Sequence, residues 1–477
     1  MSREAPESRG IRDAIFAGLF FLAATALMTW PLPMHLRDGM TDLWDAKLVT
    51  RILHWDYRQT FRDPVNLFQL NFFHPAKYAL AFSENLWGAA LFGFPLLAAG
   101  ATPVFNYNVL FLLGMFFSAW SAWALARYVT GDPLASVVGG LIFGFLPWRF
   151  SQLPHFQFQW APFLCLSLLF LLRYLDEGRR SDAVLFGVFF GWNALTNVHY
   201  ALFSGFVVAA TLLSFAAWRT PERGKRIRAA VLAVALGGIA FLPFAVSYRK
   251  AAELYGMERS IGEMEAFSGR WTDFFSAGEK NRLYGPATKK WGKAEGDFFP
   301  GLAALALASI GVVGSRRRRG ALATSEPGPS EGRRRAAKAL DVAAAVLAVA
   351  WLASLAREGL RVGPLHLGDP GRVQVFLTVA VLLRLALAFP RQSRFVCLAD
   401  FLRRSPLDRR AVLLLVVAAV GILVALGGHT PYYRFLFQSF GAIFRAIRAP
   451  ARGIVLFHIA LAVLAAWGLS RITKDLA

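Results

Sequence analysis

This sequence is short of cysteine and of charge. It has 477 residues and two cysteines, Cys165 inside an apolar run and Cys397 in a basic stretch. Neither has metal-ligand or disulfide spacing, so no zinc cluster or disulfide scaffold is encoded and nothing is said about redox. Charged residues make up 17% of the chain, where soluble domains carry about a quarter. Acids are the scarcer sign, 30 Asp and Glu against 52 Lys and Arg. Neither GxGxxG nor a P-loop occurs, so there is no nucleotide-binding domain and any activated substrate must come from elsewhere. Strictly alternating runs are also missing, which excludes spanning strands.

What is present is hydrophobic, at 56% of residues and a mean hydropathy of +0.45. Runs such as AIFAGLFFLAATALMTW (14–30), VLFLLGMFFSAWSAWALA (109–126) and VLLLVVAAVGILVAL (412–426) approach the roughly 20 residues a helix needs to cross a bilayer. The fold class expected is an all-α polytopic membrane protein. A net charge of +22 would suggest nucleic acid in a soluble chain. Here the basic residues cluster in short loops between apolar runs, as the positive-inside rule requires. No basic stripe with interleaved aromatics resembles a nucleic-acid groove, so no nucleic-acid partner is expected.

The clusters RYLDEGRR (173–180), WRTPERGKRIR (218–228), 315–338 and 390–410 are therefore expected to be cytoplasmic. Successive cytoplasmic loops must be separated by an even number of crossings. By that parity the stretch 183–218 is two short spans turning at Asn197–Tyr200, and 85–100 is a re-entrant or interfacial segment. An alternative path lets 85–100 cross and makes 183–218 one long tilted helix. The first path has about twelve spans, near 14–34, 105–127, 134–148, 157–175, 183–197, 199–218, 227–247, 298–314, 340–357, 373–389, 411–427 and 454–471. Both termini are then cytoplasmic, and the first helix is read as uncleaved. The outer loops are 35–104, with amphipathic helices, 148–156, 248–297, 358–372 and 428–453. Three units follow: a module over 1–314, a basic linker over 315–338, and C-terminal helices over 339–477 that carry an outer arginine helix.

Candidate chemistry gathers in the outer loops. Asp42 and Asp45 are three apart, one face of a helix, with Trp44 and Trp55 suited to an interfacial belt. The bland reading is a surface helix whose acids face water. The functional one is a base at the lipid surface with its carboxyl pKa raised by partial desolvation. Glu84 lies in apolar surroundings with no basic neighbour, which marks a site or a helix cap. Arg149, His155 and His199 fall at the outer ends of spans, where a lone polar group is more often structural. Arg445, Arg448 and Arg452 recur at three and four residues on an amphipathic helix broken by Pro450. Such a helix attracts lipid headgroups, and a guanidinium cluster also matches phosphate oxygens bidentately. Hard-cation sites usually show more oxygen ligands. No metal or cofactor is predicted.

The ordered motifs are D-x-x-D with a following W (Asp42, Asp45, Trp55), DPxxLFxxNxFxP (63–75), LAFSE (80–84), PWRFSQLPHFQ, ERSIGEMEAFS (258–268), DFFPGLAAL (297–305) and FRAIRAPAR (444–452). Together they resemble bacterial integral-membrane proteins of the glycosyltransferase C superfamily, the last three its YfhO-type branch. The resemblance implies a polyprenyl-phosphate sugar donor, an acceptor hydroxyl on a glycan, lipid or protein, and catalysis at the outer face of the bacterial cytoplasmic membrane. It gives Asp45 the role of base, with Asp42 second. Glu84, Arg149, His155, His199, Arg445, Arg448 and Arg452 then serve substrate binding. Two positions depart from the pattern: Asn85 follows Glu84 where relatives often have His, and His74 replaces a usual aromatic.

A lipid flippase or transporter is the rival reading. It calls for ionisable residues deep in the spans, where Arg384 is the only clear basic residue and no acid is evident. A non-catalytic assembly subunit is a third.

Overall fold

The computed structural model describes residues 6–315, apart from 219, 221 and 294, and 407–476, apart from 441–443 and 446, with short pieces between 339 and 367. The 316–338 part of the linker, most of the expected span near 340–357, the one near 373–389, Arg384 and Cys397 lie outside the described residues. The chain opens with α1 (Pro6–Met28) and the amphipathic α2 (Asp45–Arg62), followed by two short helices, α3 (Trp87–Ala90) and α4 (Phe94–Ala98). Then come α5 (Pro103–Thr130), α6 (Pro133–Phe145), α7 (Pro147–Ser151), α8 (Phe156–Gln159), α9 (Pro162–Glu177), α10 (Arg180–Thr196), α11 (Val198–Ala217), α12 (Arg223–Ile239) and α13 (Leu242–Tyr255). A loop carrying α14 (Ile261–Ala266) and α15 (Gly285–Thr288) leads to α16 (Leu302–Gly314). The last helices are α17 (Arg409–Leu426), α18 (Pro431–Ser439) and α19 (Val455–Leu476), and a short antiparallel hairpin pairs β1 (Leu360–Val362) with β2 (Leu365–Leu367).

The helix boundaries follow from local chemistry. In hydrocarbon each backbone N–H and C=O must be paired within its own helix, so long apolar runs become helices. Proline opens α5, α6 and α9, where its missing N–H costs nothing. The side chains of Thr102 and Asp132 accept the free N–H groups of the first turns of α5 and α6. Gly131 and Gly178, at φ 68° and 77°, close α5 and α9 in the left-handed conformation that glycine adopts without strain.

The result is a helical polytopic membrane protein. Among the described residues seven helices are long and apolar enough to cross a bilayer, or eight if α12 and α13, bent by 61°, are one span. The expected twelve therefore need qualification. The spans near 14–34, 105–127, 134–148, 157–175, 199–218, 411–427 and 454–471 each coincide with such a helix. The span near 227–247 is the bent pair, and the one near 298–314 is the 13-residue α16. The span near 183–197 is α10, whose 17 residues include Arg180 and Asp182. The stretch 85–100 is α3 and α4, too short to cross, and the chain breaks between α10 and α11 at Asn197, whose side chain caps α11.

The helices run alternately between two ends of one bundle. At one end Arg127 bonds Asp13 at 2.9 Å, Arg410 bonds Asp176 at 2.8 Å, and Arg226 donates to the Leu175 carbonyl at 2.6 Å. The first turn of α1 and the last of α19 lie at this basic end. The loops 29–102, 146–161 and 256–301 lie at the other. α17 and α19 pack into the bundle formed by residues 1–314, with α19 against α5, α6 and α16. Small residues allow this: a Cβ at Gly468 would collide with the Leu307 carbonyl oxygen of α16.

α2 lies at the loop end and buries Ala46, Val49, Ile52 and Leu53. Asp56 is buried on the same face, and neither carboxylate oxygen has a protein partner. Burial pushes its carboxyl well above the ordinary range, because an isolated charge is costly to desolvate. Unfolded, the group ionises near pH 4. A value raised by folding means that stability declines as pH rises from the unfolded toward the folded value. Asp56→Asn, which keeps the shape without the titration, is expected to raise the melting temperature of the detergent-solubilised protein at pH 8. That gain should shrink as pH is lowered toward 4; a gain independent of pH would show that Asp56 is not neutral in the fold.

Candidate functional site

The site forms where the first loop meets the chain entering α19. Asn108 on α5 donates to the carbonyls of Leu36 and Gly39 at 3.0 and 2.7 Å, and the Thr41 and Tyr107 hydroxyls lie 2.6 Å apart. These bonds anchor the turn that precedes α2. Asp42 sits in that turn, its Oδ2 accepting the N–H groups of Trp44 at 2.8 Å and Asp45 at 2.6 Å. Its slight burial pushes the carboxyl up, but these backbone donors outweigh it and hold Asp42 below the ordinary carboxylate value. The two acids do not share a helix face as expected: Asp42 precedes α2, and Asp45 is its first residue. Asp42 therefore orients the start of α2, and Asp45, half exposed, points on to His155, with Oδ2 3.8 Å from Nε2.

His155 also meets Arg452, whose Nη2 lies 3.3 Å from Nε2. A guanidinium can only donate, so His155 Nε2 is the acceptor and the proton sits on Nδ1, a buried atom with no protein partner. Burial and then the Arg452 charge push the imidazole below its ordinary value. His155 is thus neutral near pH 7. Beyond it, Arg452 makes two bonds to Glu295, Nε to Oε2 at 3.0 Å and Nη2 to Oε1 at 2.5 Å, with side chains only 7% and 5% exposed. Gln152 adds a bond to Glu295 at 3.3 Å. Burial alone pushes the Glu295 carboxyl up, yet the Arg452 hydrogen bonds and charge hold it below the ordinary range. Glu295 adopts φ 65°, a left-handed conformation that a glutamate seldom takes. Strain of this kind persists where surrounding contacts over-determine it, and clusters at functional sites.

A second polar pair flanks the first. Glu84 Oε1 lies 2.7 Å from His199 Nδ1, and its Oε2 accepts the Val198 N–H at 2.7 Å, at the first turn of α11. Phe158 lies between the pairs: Arg452 sits 4.6 Å above its ring, and the rings of His155 and His199 are 5.9 and 5.5 Å away. His199 Nε2 is buried without a protein partner.

Asp45, Glu84, His155, His199 and Arg452 thus come together from five separate parts of the chain. The other candidates do not. Arg149 is buried, and its guanidinium donates to the carbonyls of Phe143, Phe158 and Gln159 at 2.8 to 3.2 Å. It braces the wall behind Phe158, turning Nε and Nη1 to backbone oxygens in the absence of a carboxylate, with Nη2 left without a protein partner. The expected arginine helix is also corrected: Arg445 and Arg448 lie in non-helical chain and Arg452 in a 3-10 turn, Pro450–Ile454. Pro450 disfavours helix just before it. Arg445 pairs with Glu258 at 2.9 Å near the surface, while Arg448 is exposed and stacks 4.2 Å over Phe267. Among the described residues no group of three His, Cys, Asp or Glu side chains could hold a metal ion.

Glu295, Gln152 and Phe158 were missed by sequence reasoning. The one signal for Glu295 was an acid in KAEGDFFP beside a motif already singled out; nothing marked Gln152 or Phe158 among many similar residues. Because the Arg452–Glu295 pair is buried, removing one partner strands the other charge, at about 3–5 kcal/mol. Glu295→Leu and Arg452→Met are each expected to lower the melting temperature sharply, and the double variant Glu295→Leu/Arg452→Met to recover most of the loss. Additive losses in this cycle would show that the two charges do not depend on one another.

A comparison with curated proteins gives no match. One family model, described as a domain of unknown function (DUF6311), matches residues 17–362. The match takes in Asp45, Glu84, His155, His199 and Glu295 and stops short of Arg452. It covers more than two thirds of the sequence, and the chain belongs to the DUF6311 family.

Proposed function

We propose that this protein is a glycosyltransferase of the bacterial cytoplasmic membrane, a member of the glycosyltransferase C superfamily. It would move a sugar from a polyprenyl-phosphate donor to an acceptor hydroxyl at the outer face, with about twelve spans and both termini cytoplasmic. The observation that carries the reading is the contact chain Asp45–His155–Arg452, which joins a half-exposed acid to a guanidinium through a neutral imidazole.

In the proposed reaction Asp45 accepts the proton of the acceptor hydroxyl while the acceptor's oxygen forms a bond to the anomeric carbon. The bond from that carbon to the lipid phosphate breaks, its electron pair leaves with the phosphate, and the centre inverts. Negative charge grows on the leaving phosphate, where a fixed cation matters most. Arg452 answers that need. Glu295 holds one edge of the Arg452 guanidinium, Nε and Nη2, so a phosphate either takes the remaining donors or displaces the carboxylate. His155, as an uncharged acceptor, fixes the guanidinium without repelling it. The Glu84–His199 pair and Phe158 suit a sugar ring, which presents hydroxyls at its edge and an apolar face.

The purified protein incubated with candidate polyprenyl-phosphate sugars tests this. Asp45→Asn is expected to lower transfer by roughly 10²- to 10⁴-fold, the usual contribution of a general base. Arg452→Lys, which keeps the charge and loses the fork, is expected to slow turnover more than it weakens donor binding. Equal transfer by wild type and Asp45→Asn would remove Asp45 as the base.

A further inference from the structure

A cavity of about 740 Å³ lies between α10 and α12, away from the polar groups just described. Its floor is made of small residues: Gly191 and Gly237 bring the two helix backbones together so closely that a Cβ on Gly191 would meet the Gly237 carbonyl. Val188 and Leu236 on the walls are 46% and 58% exposed, so the groove is open along its side and apolar over most of its length. Its two ends differ in chemistry. One, at Leu195, borders the loop end of the bundle. The other holds Arg180, Lys225 and Arg226, with Glu222 as the one acid beside them among the described residues. The 17 residues of α10 separate these ends by about 25 Å at 1.5 Å per residue.

The charges at the basic end are incompletely answered. Lys225 reaches Glu222 at 3.3 Å. Arg226 donates to the carbonyls of Leu175 and Asp176 at 2.6 and 3.1 Å, which leaves its charge unmatched by a carboxylate. Arg180 is exposed and has no carboxylate partner among the described residues. A ligand complementary to the whole groove has an anionic head at this end and a hydrocarbon chain along the helices. A free anion would use only the mouth.

We propose that the α10/α12 groove binds one anionic glycerophospholipid from the leaflet on the side of the 178–180 and 218–228 loops. Its phosphate lies at Arg180, Lys225 and Arg226, and one acyl chain runs over Gly187 and Gly191. Basic residues at this depth attract anionic headgroups, and the small-residue floor gives the chain a channel that larger side chains would fill. The assignment does not rest on the sugar-transfer reading, and either can fail without the other.

The test uses the full chain in detergent with phosphatidylglycerol carrying a photoactivatable acyl chain, the same chain on phosphatidylcholine for comparison, and peptide mapping of the adducts. Phosphatidylglycerol is expected to label 183–195 and 229–240 on the order of tenfold more than phosphatidylcholine. Arg180→Gln/Lys225→Gln should remove most of that preference. Val188→Trp, which fills the channel at a half-exposed position, should abolish labelling by both lipids with the melting temperature unchanged. Equal labelling by the two lipids, adducts elsewhere in the chain, undiminished labelling of both variants, or displacement by inorganic phosphate alone would overturn the proposal.

Discussion

A charge pair taken out of water holds the loop end of this protein together. Arg452 and Glu295 each lose solvation on burial, and in low dielectric that loss is recovered only when geometry is good and the remaining donors are occupied. The geometry is good: the Nε and Nη2 edge of the guanidinium faces the carboxylate, Gln152 takes a further position on it, and Phe158 covers the cation. The pair joins the 256–301 loop to the chain entering α19, and through His155 it reaches the first residue of α2. Segments hundreds of residues apart are thereby held in register.

The two ends of the bundle use charge differently. At the basic end Arg127 and Arg410 meet part-exposed partners, Asp13 and Asp176, and such pairs stabilise little individually. At the loop end many pairs are exposed too, as Arg445–Glu258 is, but Arg452–Glu295 and Glu84–His199 are largely buried, so those contacts have more electrostatic consequence. The helices between the ends are largely apolar and packed through small residues, a rigid support on which polar groups can be positioned to within fractions of an ångström. This division makes a site on the loop end chemically reasonable and leaves the α10/α12 groove as a separate feature of the lipid-facing surface.

Much of the fold was legible in advance for a simple reason: a long apolar run has one way to satisfy its backbone in lipid. The helices at 103–130, 198–217, 409–426 and 455–476 follow from that alone, and the break at Asn197 follows from parity between basic loops. The limits of the method appear where length and composition are marginal. α10 begins with charges, α12 bends into α13, and α16 is short, so counting apolar runs overstates what the described residues display as complete spans.

For the site, residue type carried some of the information. A carboxylate, an imidazole and a guanidinium near a membrane boundary are costly unless used, and Asp45, His155 and Arg452 were visible on those grounds. Arg149 and Arg445 looked equivalent to Arg452 in sequence and are not, because one is enclosed by carbonyls and the other faces Glu258. Glu295 drew no notice, since its importance comes entirely from the arginine opposite it, 157 positions away. The sequence by itself determined that the chain is a helical membrane protein with polar chemistry gathered in its loops, because hydropathy is a property of each segment alone. Only the tertiary structure decided which charges are partners, because burial and pairing depend on distances between segments that no local pattern encodes.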